Sequence, residues 1–148
     1  VKQKTKTELI EENKNLSHLV LAALTVGATL TYDKESKTYG AAYIYDSQYA
    51  DIYETHEAIR AGINIDDNGS LTEALYELTE DCNLARQCAA DKIMMEESAQ
   101  TEKHHNGAKI DKTEVTYLAD LRNDYKKKAA VSKMVGQIVD AASVAVNR

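Results

Sequence analysis

Residues 70–93 read SLTEALYELTEDCNLARQCAADKI, and the fold class follows from them. Leu71, Leu75, Leu78, Cys82, Ala85 and Ala89 recur at alternating intervals of four and three, and Ile93 extends the series. Those intervals place every member on one face of a 3.6-residue helix. The seam runs for more than three heptads and asks for a second helix to pack against it. Ser70-Leu71-Thr72-Glu73 opens the segment as a capping box, the Ser and Glu side chains each satisfying a free N–H of the first turn. The helix is expected to run to about Glu102. His104-His105-Asn106-Gly107 forms its exit, with Gly107 suited to a left-handed cap.

The flanking segments read the same way. Upstream, Leu9, Leu16, Val20, Ala23 and Leu24 share a helical face over residues 5–26. Downstream, Asp111-Lys112-Thr113-Glu114 offers a second N-terminal cap. Leu118, Leu121 and Tyr125 then give way to a broader apolar arc of Val131, Met134, Val135, Ile138, Val139, Ala142, Ala145 and Val146. The 148 residues contain no proline and six glycines, so little interrupts a long helix. Between Gly27 and Tyr45 the texture changes. A charged run, Asp33 to Lys37, separates two stretches rich in Thr, Tyr and Ile, which reads as a β-hairpin. A continued first helix followed by a new one near Thr38 is the rival reading. Residues 46–61 read as a further helix carrying a stripe of Tyr45, Tyr49, Tyr53 and Ile59, and 62–69 as a loop. The expected architecture is mainly α: an antiparallel bundle of three to four long helices in one domain spanning 1–148, with a small hairpin near 27–45 as the β element.

Charge is distributed unevenly. The net charge of −6 combines a surplus of about ten acids over residues 46–100 with a basic excess in the last third. An acidic middle and a basic tail attract each other within one fold, or between copies, or turn the acidic face towards a basic partner. Nucleic-acid binding is not favoured, because Lys126-Lys127-Lys128 is the one dense basic run. The apolar stretch 19–30 is too short to cross a bilayer and reads as core. Cys82 and Cys88 are six apart on a helix, about 9 Å of rise and opposed in direction, so they read as separate thiols. Cys82 is placed in the core and Cys88 at its edge. Unpaired thiols fit a reducing intracellular compartment or an assembled particle.

Two constellations could bear chemistry. Asn64, Asp66 and Asn68 stand at the first, third and fifth positions of a sequence resembling the calcium loop of EF-hand proteins, with Gly69 at the sixth and Leu71 at the eighth. The twelfth position, which should be a bidentate Glu, is Leu75. A capped turn before a helix explains the same residues. Glu102-x-x-His105, near Glu96, Glu97 and His104, matches one copy of the helical motif of di-iron bundle proteins, but such a site needs two copies. No phosphate-binding glycine loop occurs, and no cofactor is called for. The resulting expectation is a non-enzymatic structural or assembly subunit that works by helix packing in a homo-oligomer or larger complex, such as a virion or secretion-apparatus component. Its expected contacts are Val135, Ile138, Val139, Ala142 and Val146, then Tyr45, Tyr49 and Tyr53. A monomeric acidic module engaging a basic partner is the alternative, and a metal-binding helical protein a second one.

Overall fold

Thr5 caps the first helix, its hydroxyl accepting from the Glu8 amide at 3.1 Å, and α1 runs over Lys6–Thr25. Three antiparallel strands follow: β1 (Thr29–Asp33), β2 (Thr38–Tyr49) and β3 (Ile52–Ile63), in the spatial order β1-β2-β3. Two long helices complete the chain, α2 (Asn68–His105) and α3 (Lys112–Val146). The computed structural model describes residues 3–49 and 52–146, and the side chains of 48, 49, 52 and 144–146 lie outside that description. The fold is thus mainly α, three long helices with one small antiparallel sheet. Among the described residues, no helix is long and apolar enough to cross a membrane.

Helix α2 is the central element. Its 38 residues make a rod of about 57 Å. Leu71, Leu75, Leu78 and Cys82 form the seam that the spacing predicts, packed with Leu19 and Ala22 of α1 and Val135, Val139 and Ala142 of α3. A second flank of the same helix, marked by Ala74 and Asp81, receives β2 and β3. Helices α2 and α3 run antiparallel. Glu114 of α3 accepts from Gln100 through its carbonyl and pairs with Lys103, while Arg122 reaches Glu97 at 3.1 Å.

The β2–β3 hairpin lies along α2. Each strand is 12 residues, about 40 Å. At one end the Asn64 amide donates to Ser70 Oγ; at the other Lys92 lies 5.5 Å from the Tyr53 ring and the Tyr53 hydroxyl faces Met95 Sδ. Residues 70 to 95 of a helix span about 38 Å, so hairpin and helix match in length.

The hairpin over 27–45 is present, with β1 and β2 paired from Thr29↔Ala42 to Asp33↔Thr38. The helix expected over 46–61 is not. That segment is the end of β2 and nearly all of β3. A spacing of four serves both geometries, because it is about one helical turn and also two strand repeats. Tyr43 and Tyr45 share a face of β2 on the strand period, whereas Tyr53 lies on β3, in register with Gln48. The start of α2 also differs in detail. Asp67 is the cap, its carboxylate accepting from the Gly69 amide, and the Ser70 hydroxyl is used by Asn64. The Asp111 cap is formed as expected, accepting from the Glu114 amide at 2.9 Å.

Register shifts once, between Tyr39↔Ile63 and Ala41↔Arg60, so that Ala61 and Gly62 face the single residue Gly40. Gly62 sits at φ +72°, the left-handed conformation that a bulge of this type needs. A Cβ there meets no atom, so the cost of Gly62→Ala is conformational, about 1 kcal/mol. Gly136, inside α3 and also open to a Cβ, is expected to behave oppositely, Gly136→Ala gaining about 0.8 kcal/mol. Urea unfolding of the two variants checks both signs.

Candidate functional site

The described titratable groups that are best buried gather where the sheet meets α2. Tyr43 projects from β2 and its hydroxyl donates to Asp81 Oδ2. Arg60, from β3, donates through a terminal nitrogen to the same carboxylate oxygen at 3.0 Å and through Nε to the Tyr43 hydroxyl at 3.2 Å. Glu77, one turn before Asp81, faces the Arg60 Nε at 3.2 Å. Three elements are joined through one carboxylate that is 8% exposed. Burial, reinforced by the hydrogen bond to Asp81, pushes the Tyr43 phenol well above its ordinary range. The Tyr43 and Asp81 contacts hold the Arg60 guanidinium protonated against its partial burial. The cluster is therefore a neutral phenol, a carboxylate and a fixed cation.

A second cluster lies further along β2. Asp46 accepts from Thr55 across the strand pair at 3.1 Å and is paired with Lys128 of α3, with Lys92 of α2 at 4.0 Å. Lys128 also reaches Asp124 at 3.1 Å. Burial is the largest single influence on Asp46 and opposes its ionisation, but Lys128, Lys92 and Thr55 together outweigh it and hold the carboxyl below its ordinary value. For Lys128 burial is likewise the largest single influence and is overcome by Asp46 and Asp124 together, so its pKa is raised.

Between the two clusters opens a cleft of about 310 Å³. Tyr43 to Asp46 line one side, Asp81, Cys82 and Ala85 the floor, and Val131 with Lys127 and Lys128 the far wall. Cys82 is the nucleophile nearest to hand. Burial pushes its thiol up to about 11, so it is protonated at neutral pH and a poor nucleophile. Tyr43, Asp81, Asp46 and Lys128 of the cleft are engaged within the two clusters, and Lys127 stands at its wall without an ion-pair partner among the described residues. As it stands, the arrangement ties elements together and positions no free acid–base pair.

The side-chain oxygens of the candidate calcium loop are engaged within the protein. The Asn64 side chain accepts from the Asp66 amide, Asn68 accepts from Asn15, and the Asp66 carboxylate takes Lys4 at 3.0 Å. These oxygens serve a capped turn and fasten it to α1, where buried Asn15 also donates to the Ile65 carbonyl at 2.6 Å. Glu102, His104 and His105 are exposed at the end of α2, while Glu96 accepts from Gln100. Among the described residues no three His, Cys, Asp or Glu side chains are grouped to hold a metal ion.

The expected contact residues are placed as follows. Val135, Val139 and Ala142 are buried in this chain's own core, Val135 completely, and Ile138 packs against it. Tyr45 is half-buried beside His56, and Tyr53 lies against Lys92. The side chains of Tyr49 and Val146 fall outside the described residues. Cys88, expected at the core edge, is fully buried, and burial raises its thiol pKa as well.

Sequence reasoning missed the Asp81–Tyr43–Arg60 cluster. One signal was present: Ala74, Asp81 and Cys88 form an arc beside the leucine seam, and a carboxylate within an otherwise small, apolar arc implies a buried partner. Matched against protein-family models, curated proteins and solved structures, the chain finds no counterpart.

Two outcomes follow. Asp81→Ala leaves a buried phenol and a guanidinium short of a partner and is expected to cost about 3 kcal/mol, the low end for such a break because Arg60 keeps Glu77. Urea unfolding gives the value, and a loss below 1 kcal/mol would contradict the cluster's role. The lowered pKa of Asp46 means that its contribution is complete above the ordinary carboxylate range and is lost as pH falls through the lowered value. Asp46→Asn should therefore destabilise at neutral pH and lose less stability than the parent on acidification, read from paired thermal melts.

Proposed function

We propose that the chain is a non-enzymatic assembly subunit that associates with copies of itself through the outward face of α1. The observation that carries this reading is a helix apolar on both sides. Leu19, Ala22 and Ala23 face the core, while Ile10, Leu21 and Leu24 lie within about 60° of one another on the opposite side. Leu24 is 71% exposed and Leu21 51%, and Leu9 adds a further half-exposed aliphatic. Lys6 lies on this arc at the start of the helix and Lys14 flanks it, with Asn13 and Ser17 between them, while the end bearing Leu21 and Leu24 carries no charge. Over Leu19 to Leu24 the helix is apolar on both faces, and such a stretch asks for cover on each.

The chemistry of the cleft supports the same reading, since Asp81 and Asp46 are each paired with a cation and the thiol is protonated. Assembly by helix packing thus moves from the C-terminal arc, which the monomer buries, to α1. Burying half-exposed aliphatics offsets association costs of similar size, so the association is concentration-dependent. Salt should change it little, because Leu21 and Leu24, which carry most of the contact, stand at the end of the face away from Lys6 and Lys14.

Sedimentation equilibrium of the parent chain should show mass rising with concentration at low and high salt alike. The double variant Leu21→Asp/Leu24→Asp should remain monomeric with unchanged helicity. A parent that stays monomeric, or a variant that still associates, would refute the proposal. Val139→Asp is the internal control: it places a charge in a core position and is expected to unfold the chain.

A further inference from the structure

Strand β3 is the third strand of three, so among the described residues its far edge has no neighbour. In an antiparallel strand alternate residues turn both N–H and C=O away from the partner, leaving a row of unpaired groups. No backbone hydrogen bond from another element reaches this edge among the described residues. The opposite edge of the sheet is blunted by its shortness, β1 having five residues against the 12 of β3. β3 has no proline, and its bulge lies at one end.

The surroundings of the edge are acidic. A groove of about 290 Å³ runs between Ile59–Ile63 and the first turns of α2, where Glu73 and Glu77 stand. Glu57 and Glu73 have no ion-pair partner among the described residues. Arg60 is the sole Arg or Lys of the strand, and its guanidinium is committed to Tyr43, Glu77 and Asp81. On the face turned from α2, Ile59 and Ile44 stand diagonally across the strand pair, 69% and 71% exposed.

We infer that β3 is a docking edge for an extended segment of a basic partner protein, which joins the sheet as a fourth strand. Backbone pairing supplies the attachment, and alternate side chains supply the selectivity. Lys or Arg on the side of α2 meets Glu73, and an aliphatic side chain on the other face covers Ile59. Charge decides between this occupant and a second copy. Two β3 edges brought together would set Glu54 and Glu57 of each near the same acids of the other, which disfavours pairing. A basic segment relieves that surplus. The site is separate from the α1 face and stands whether or not that face associates.

The probe is a fluorescent, end-capped peptide of alternating lysine and valine, followed by anisotropy against the intact chain. Two further peptides carry backbone N-methyl groups at every lysine or at every valine, which keeps all charges and removes the donors of one edge or the other. The parent peptide should bind, weakening as salt rises, and one of the methylated peptides should lose at least tenfold while the other retains affinity. Glu57→Lys/Glu73→Lys, both at exposed positions, should weaken the parent peptide about tenfold. Equal binding of both methylated peptides would reduce the contact to charge alone and overturn the proposal. So would absence of binding, or a protein dimer that dissociates in the double variant, which would give the edge to a second copy.

Discussion

One buried carboxylate decides how the sheet sits. Asp81 takes the Tyr43 hydroxyl from β2 and the Arg60 guanidinium from β3, so the hairpin is fixed to α2 at one point on each strand. An ion pair removed from water gains little net energy, but leaving any member unpaired costs several kcal/mol. The cluster therefore specifies position more than it adds stability. Any sliding of the hairpin along α2 would strand a phenol, a carboxylate or a cation, and apolar contacts such as Ala58 or Ala74 could not discriminate so sharply.

The position so fixed explains the outer surfaces. With one flank of α2 given to the hairpin and the seam to α1 and α3, β3 becomes an open edge and α1 an outer layer. The same position lets the basic tail meet the acidic middle. Lys128 with Asp46 and Arg122 with Glu97 are pairs between the two regions. The exposed Arg122 pair is worth at most about 1 kcal/mol. Lys128 and Asp46 are better covered and also hold α3 against the sheet. The charge asymmetry of the sequence is thus partly spent inside the fold, and the acids left without an ion pair among the described residues include Glu57 and Glu73 beside the β3 edge as well as Glu80 and Asp91 along α2.

The long helices were legible because their signals are redundant. For α2, the leucine seam, the Asp-Asn-Gly turn before it and Gly107 after it agree, even though the cap proved to be Asp67 instead of Ser70. The 27–45 hairpin was legible from a charged turn between Thr- and Tyr-rich runs. Residues 46–61 were not, since Glu, Ala, Ile and Arg favour helix and the Tyr spacing fits both periods; pairing with β2 overrode local preference. The buried clusters were harder still. Arg60 and Asp81 lie 21 residues apart and meet only after the hairpin has folded back along α2. Of the C-terminal arc, Val135, Val139 and Ala142 are buried and Val131 and Ile138 pack against the core while Met134 is half-exposed, and a sequence pattern does not say whose helix does the covering.

The central claim is that hairpin and helix form one cooperative unit held at Asp81, with the outward faces of β3 and α1 left for partners. Native-state hydrogen exchange tests it most directly. The sheet-paired amides of β2 and β3 around Tyr43 and Ala58 should open with the same free energy and denaturant dependence as the amides of α2 from Leu75 to Ala89. If those strand amides exchange through a separate opening several kcal/mol below that of α2, the hairpin is not held at Asp81 and the account fails.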